Sequence, residues 1–303
     1  MLPRTVPTAR PDLDLLRGAI DMHAHTHPAL FRRPIDDADL ARIGLEYGMR
    51  GFVLKDHDSQ TAGRAYHVRK MFADQPIEPI GGVVLNRSAG GLDPYVAESA
   101  VHYGARVVWM PSNHSKWHAD YFGISDYPQL GRPQRQLPGE GLTILDGEGQ
   151  LKPEVRTIVQ VVADAGVCLA TGHLSLDEIR VLQDAAIESG VERFVVTHAN
   201  WALCKLDLDV QKELISKGAY LEYVAVSCVS PIFWEQNPHE LATWITELGG
   251  AQLVLSSDLG QLSAPPHPEG LRMLVASLLD EGVAYEHLER MLQHNPATLV
   301  GLD

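Results

Sequence analysis

The sequence predicts a single-domain (β/α)8 barrel. Three observations point there: strands written as continuous Val, Ile and Leu runs, a helix-like segment after each, and eight repeats of that pair along 303 residues. Strands covered by helices on both faces lose their polar alternation, as these have. Closing such a parallel sheet gives the barrel. The competitor is an open doubly wound sheet, which usually carries a glycine-rich phosphate loop after its first strand. Here that position holds histidines.

Residues 1–17, with Pro3, Pro7 and Pro11, read as an irregular N-terminal arm. The first strand approaches through Gly18, Ala19 and Ile20 and runs into His23, His25 and His27. A helix over Asp36–Gly48 follows, opened by acidic residues and closed by glycine. Strand Gly51–Lys55, helix Thr61–Phe72, strand Pro79–Leu85, helix Pro94–Tyr103 and strand Ala105–Met110 continue the pattern. The glycine pairs Gly81-Gly82 and Gly90-Gly91 read as tight turns. Helix Pro153–Ala165 leads to strand Val167–Ala170, and helix Leu176–Ser189 to strand Arg193–Thr197. Then come helix Leu208–Lys217, strand Ala219–Val226, helix Pro238–Leu248, strand Gln252–Ser256 and a terminal helix near Tyr285–Gln293. One connection breaks the rhythm: residues 111–152, with Trp117, His118, Tyr121, Phe122 and Tyr127, form a long aromatic insertion. A loop of that length in a compact domain reads as an active-site lid.

Twenty-five basic against 39 acidic residues leave a net charge of −14, which argues against nucleic acid and anionic membranes as partners. The three cysteines, Cys168, Cys204 and Cys228, are too few and too scattered for a disulfide framework and suit a reducing compartment. Neither a signal-peptide pattern nor a run of about 18 apolar residues is present, so a soluble cytoplasmic protein is expected. Its expected partner is a small-molecule substrate, and association into a homo-oligomer is compatible with the fold.

In a parallel barrel the C-terminal strand ends meet at one mouth. Those ends carry His23 and His25 after strand one, Lys55 and His57 after strand two, and Trp109 to Asn113 after strand four. Strand five contributes His173, strand six His198 and Asn200, and strand eight Asp258. Residues two apart on a strand face the same way, about 6–7 Å apart. His23 and His25 can therefore share an ion, and imidazole nitrogens suit zinc or a similar divalent metal. A lone strand-end histidine is ordinarily just hydrogen-bonded, and a lone aspartate can be a helix cap. His23, His25, His173, His198 and Asp258, four histidines and an aspartate at one mouth, point instead to a metal site.

This ordered set resembles the amidohydrolase superfamily over nearly the whole barrel. Leu54-Lys55-Asp56-His57, Val108-Trp109-Met110-Pro111 and Ser257-Asp258-Leu259-Gly260-Gln261 are similar to one branch of it. The resemblance implies a metal-dependent hydrolase, in which activated water attacks an amide, cyclic amide, lactone or ester. His23, His25 and Asp258 would hold one ion, with His173 completing that site or joining His198 at a second. Asp258 would take the water's proton, and with one metal His198 would orient water or steady an oxyanion. The chain departs from the two-metal pattern, since strand four offers neither lysine nor glutamate. Lys55 could bridge two ions if carboxylated, or act as a cation toward substrate. Metal count stays open between one and two.

His57, His114, Asn200 and Gln261 are candidate substrate contacts, with His118 and His267 behind them. His27 is expected to point outward, and His294 to be structural. The alternative reaction is non-oxidative decarboxylation of an unsaturated or aromatic acid on one metal, favoured by the empty strand-four position. A non-catalytic scaffold would have lost at least one of the five ligands, and none is missing. Phosphoester hydrolysis lacks a cluster of basic residues at the mouth.

Overall fold

The computed structural model describes residues 9–122, 140–204 and 206–303. Tyr127, the middle of the 111–152 insertion and the first half of the N-terminal arm lie outside them. The described residues of the arm end in a helix, α1 (Pro11–Leu16), rather than irregular chain. Then follow β1 (Ile20–Ala24), α2 (Asp37–Glu46), β2 (Gly51–Leu54), α3 (Ala62–Met71), β3 (Glu78–Val84), α4 (Pro94–His102) and β4 (Ala105–Trp109). The second half runs α5 (Lys116–Phe122), α6 (Pro153–Ala165), β5 (Cys168–Ala170), α7 (Leu176–Glu188), β6 (Phe194–Val196), α8 (Leu208–Ser216) and β7 (Tyr220–Val224). It ends with α9 (Val226–Val229), α10 (Pro238–Leu248), β8 (Leu253–Ser256), α11 (His267–Asp280), α12 (Tyr285–Glu289), a π-helical turn at Arg290–His294 and α13 (Asn295–Val300).

Eight parallel strands pair in sequence order, β1 through β8. The two ends meet where Asp258 N–H donates to His23 O (2.8 Å) and His25 N–H to Leu259 O (3.0 Å). Local chemistry fixes the helices as the sequence implies. Asp36 and Asp39 cap α2 reciprocally, Ser175 and Glu178 do the same for α7, and prolines occupy the first turns of α4, α6 and α10.

Alternate strand residues point inward. Ile20, Met22, Val53, Ile80, Val84, Val107, Trp109 and Val254 form an inner apolar cluster with Ala297, Leu299 and Val300 of α13. The C-terminal helix thus packs on the barrel interior, and the polar residues gather at the other end.

β1 solves a problem that simple alternation leaves open. Ile20 and Met22 face inward, so unbroken alternation would turn His23 and His25 toward the helices. The register against β2 slips between Asp21 and Ala24, and this bulge re-aims both histidines inward. Buried Asp21 accepts the backbone N–H of His23 (3.1 Å) and of Ser257 (2.9 Å), tying the bulge to β8. Burial pushes its carboxyl up to about 6, against those two hydrogen bonds.

Three expectations need correction. Gly81 and Gly82 lie inside β3, not in a turn. A Cβ on Gly81 would fall 2.3 Å from Ala62 Cα of α3, and one on Gly82 would fall 2.4 Å from the Trp109 ring, so close approach explains both. The segment 111–152 is not all lid. It contains α5, and its described end is pinned where Lys116 N–H donates to Leu142 O (2.7 Å) above buried Ile144. Helix α11 lies between strand Gln252–Ser256 and the terminal helix, where no helix was expected, and Pro265, Pro266 and Pro268 stand at its start. They introduce a helix whose Leu271, Leu274, Val275 and Leu278 are buried at helical spacing.

Candidate metal centre

The bulged strand brings His23 Nε2 and His25 Nε2 to 3.2 Å, and Asp258 Oδ1 lies 3.0 Å from each. Donors held about 2.0–2.1 Å from a tetrahedral zinc are separated by roughly 3.3 Å, so this triangle fits such an ion. Lys55 Nζ sits 3.0 Å from His23 Nε2 and 5.6 Å from the centre of the Trp109 ring. Burial brings Lys55 down to about 8, against the opposing pull of Asp258 and Glu222.

Asp258 and His198 adopt left-handed backbone, with φ of 50° and 59°, the two non-glycine residues that do so among the described residues. Such a conformation costs on the order of 1–3 kcal/mol per residue and collects at functional sites. Both sit where a strand ends, and Asp258 is held by the hydrogen bond to β1 described above. His198 Nδ1 is 3.9 Å from Asp258 Oδ2 and, like His173 Nε2, is buried with no hydrogen-bond partner. Two orphaned ring nitrogens beside the triangle are further evidence that these residues fit a metal. Burial lowers His25 and His173 well below the ordinary histidine range and His198 to about 3, which keeps their rings neutral, the ligating form. At His23, burial and Lys55 press the pKa down, but Asp258 and Glu222 outweigh them and raise it. Burial opposes ionisation of Asp258, yet the surrounding histidines, His23 first, hold it well below the carboxylate range.

Glu222 was not anticipated. It is a carboxylate inside β7, 3% exposed, with Oε1 3.3 Å from His23 Nδ1. An acidic residue on an otherwise apolar, doubly covered strand was the available signal. By engaging Nδ1 it presents His23 Nε2 to the other donors, as the partners of metal-binding histidines do. Glu222 also forms a second ligand-like group with His23 and His198. Glu222→Gln is expected to weaken metal affinity about 10–100-fold with the fold intact, measured by competition with a chelator.

The other anticipated residues divide. His57 stacks on His25 at 4.7 Å, hydrogen-bonds Ser112 Oγ at 2.8 Å, and lines the cavity above the triangle. Gln261 lines it too, donating to Asp258 O at 2.9 Å. Asn200 does not line it. Its amide donates to Ser227 Oγ (2.8 Å) and Val224 O (3.3 Å) and accepts from Val224 N–H (2.9 Å), so it ties the loop after β6 to the end of β7 and to α9. His114 is likewise outside the cavity lining, its N–H donating to Asn86 Oδ1 at 3.2 Å. His118, expected in an exposed loop, is fully buried with Nδ1 2.8 Å from His173 Nδ1, where it orients that ring. His267 Nε2 lies 3.0 Å from His25 O, and His27 and His294 are exposed.

The cavity is partly open to solvent, with about 60 Å³ of room for the centres of water-sized molecules. Phe31, Trp201, Val226 and Phe233 form its apolar walls, and Arg33 and Asn113 add polar groups.

Residues 18–222 match the model of a family of unknown function, DUF6282. The chain belongs to that family. No curated protein sequence matches it significantly. Among solved structures, an amidohydrolase from Pseudomonas aeruginosa superposes with a TM-score of 0.62 at 12% identity, covering 97% of this chain and 100% of that one. A lactonase from Listeria monocytogenes gives 0.58 at 13%, covering 97% and 96%. A 2,6-dihydroxybenzoate decarboxylase from Rhizobium gives 0.53 at 12%, covering 95% and 99%. This DUF6282 member therefore shares the eight-stranded parallel barrel fold of those structures. No helix among its described residues is long and apolar enough to cross a membrane, and its three cysteines are buried and free.

Proposed function

We propose that this protein is a metal-dependent hydrolase acting on an amide, cyclic amide, lactone or ester of a small molecule. The observation that carries the reading is the convergence of His23 Nε2, His25 Nε2 and Asp258 Oδ1 to 3.0–3.2 Å at the base of the cavity. Those three residues would hold the first ion, zinc by their donor types, with His173 and His198 completing it or holding a second. Such an ion supplies Lewis acidity that polarises a carbonyl and acidifies water. The protein's own groups do the rest. Asp258, whose Oδ2 lies beyond the histidine contacts, accepts a proton and returns it to the leaving group. With one metal, neutral His198 would orient the water or donate to the developing oxyanion. Trp201 and Phe233 exclude bulk water from the cavity. Lys55, if carboxylated, bridges two ions; as an ammonium it stabilises negative charge at the base. We place the protein in the cytoplasm on its three buried thiols.

A second reading, decarboxylation of an unsaturated or aromatic acid, is favoured by β4, which ends in Trp109-Met110-Pro111 with no bridging ligand. Both chemistries occur on this fold among the structures named above. The deciding experiment purifies the protein without chelator in bicarbonate buffer, with Lys55→Ala alongside. Metal per chain is counted, and ring-opened or cleaved product from lactones, cyclic amides and esters is compared with carbon dioxide release from unsaturated acids. We expect at least one zinc per chain and hydrolysis that stops when the metal is stripped. Two ions falling to one in Lys55→Ala support the bridge, carbon dioxide alone moves the assignment to the decarboxylase, and no retained metal ends both.

A further inference from the structure

The cavity contains a cation that the mechanism does not use. Arg33, in the loop after β1, lines the same cavity as Asp258. Its Nε is buried without a hydrogen bond, and the side chain makes no ion pair among the described residues. The Phe31 ring lies 5.5 Å from the guanidinium carbon. Asp258, Asp56 and Asp58 act on it only through space. Elsewhere the chain pairs its sheltered arginines: Arg64 binds Asp37 and Asp56, and Arg272 binds Asp12 and Glu269. A sheltered guanidinium left unpaired is costly in the free protein, and an anionic ligand would offset that cost.

We propose that Arg33 anchors a carboxylate of the substrate, so that the hydrolase acts on small monoanionic acids with a flat apolar body. This rests on the metal-dependent hydrolase reading and names its substrate class. The planar guanidinium fork matches one carboxylate through two parallel hydrogen bonds. A phosphate with two charges would want a second cation. Lys55 lies at His23 and is not part of the cavity lining. Phe31, Trp201 and Phe233 line the same cavity and suit a flat hydrocarbon or aromatic body. Burial lowers Arg33 to about 10, which leaves it charged at neutral pH.

The test uses the purified metal-containing protein and two probes of one shape, phenylacetate and the neutral phenylacetamide, with binding followed by calorimetry. Wild type is expected to prefer the acid roughly 10- to 100-fold. Arg33→Met should erase that preference while keeping its metal, Arg33→Lys should retain part of it, and Lys55→Met should leave it in place. Unliganded Arg33→Met should melt no lower than wild type, since it loses no partner. Equal binding of acid and amide by wild type overturns the proposal, as does a preference that survives Arg33→Met. A metal-free protein that still shows the Arg33-dependent preference would sink the hydrolase reading and leave the anion site standing.

Discussion

Replacing Asp258 with asparagine is expected to lower turnover by about 10²- to 10⁴-fold while the barrel stays folded. The carboxylate has two tasks in the geometry. Oδ1 closes the triangle with both histidines at 3.0 Å, and Oδ2 is the oxygen left to move a proton. Asparagine keeps the size and the first oxygen but has neither the charge nor the basicity. It also tolerates left-handed backbone almost as well as aspartate, so the 50° φ is no obstacle to folding. Asp258→Ala lacks that tolerance and should melt lower than Asp258→Asn. The two variants together separate chemistry from strain. Turnover of the screened substrate, metal content and thermal melting are measured on both. Turnover within about threefold of wild type in Asp258→Asn would falsify the role of Asp258 as proton carrier.

The residues at the metal triangle were legible because a barrel converts strand order into proximity. Once the eight strands were placed, His23, His25, His173, His198 and Asp258 had to share one end. What alternation could not show was the bulge at Asp21 that points the first two inward, since a one-residue slip leaves no mark in hydrophobic pattern. Arg33 and Asn200 were illegible for a related reason. Both lie in loops, where side-chain direction follows from hydrogen bonding and not from period, and so Asn200 turned back to Val224 while Arg33 turned into the cavity. Glu222 is a different case. It stands in a strand covered on both faces, where a charge can only be buried against a partner. His118 depended on a helix inside the insertion, too short to announce itself by period.

Arg64→Ala is expected to destabilise the protein by about 3–5 kcal/mol, because it strands two sheltered carboxylates. Arg64 Nε and Nη2 donate to Asp37 at 2.8 and 2.6 Å, and Nη1 donates to Asp56 at 2.9 Å and to Pro28 O at 2.8 Å. The side chains are 17%, 9% and 6% exposed for Arg64, Asp37 and Asp56, so water replaces little of what is lost. Asp56 keeps hydrogen bonds from Asp58 N–H and Ser59 Oγ, whereas Asp37 keeps only Thr26 Oγ1 at 2.5 Å. The second variant Arg64→Ala/Asp37→Asn should therefore recover part of the stability, the usual sign of coupled neighbours. Denaturant midpoints measure both, and a loss under about 1 kcal/mol in the single variant would put this network among ordinary surface pairs. The effect should reach the metal centre as well. Thr26 follows His25, Asp56 follows Lys55, and Arg64 Nη2 also donates to Thr26 Oγ1 at 3.0 Å, so one guanidinium holds the strand ends that carry three of the site's groups. Loss of metal affinity in Arg64→Ala at temperatures where the fold persists is the outcome that links this packing to function.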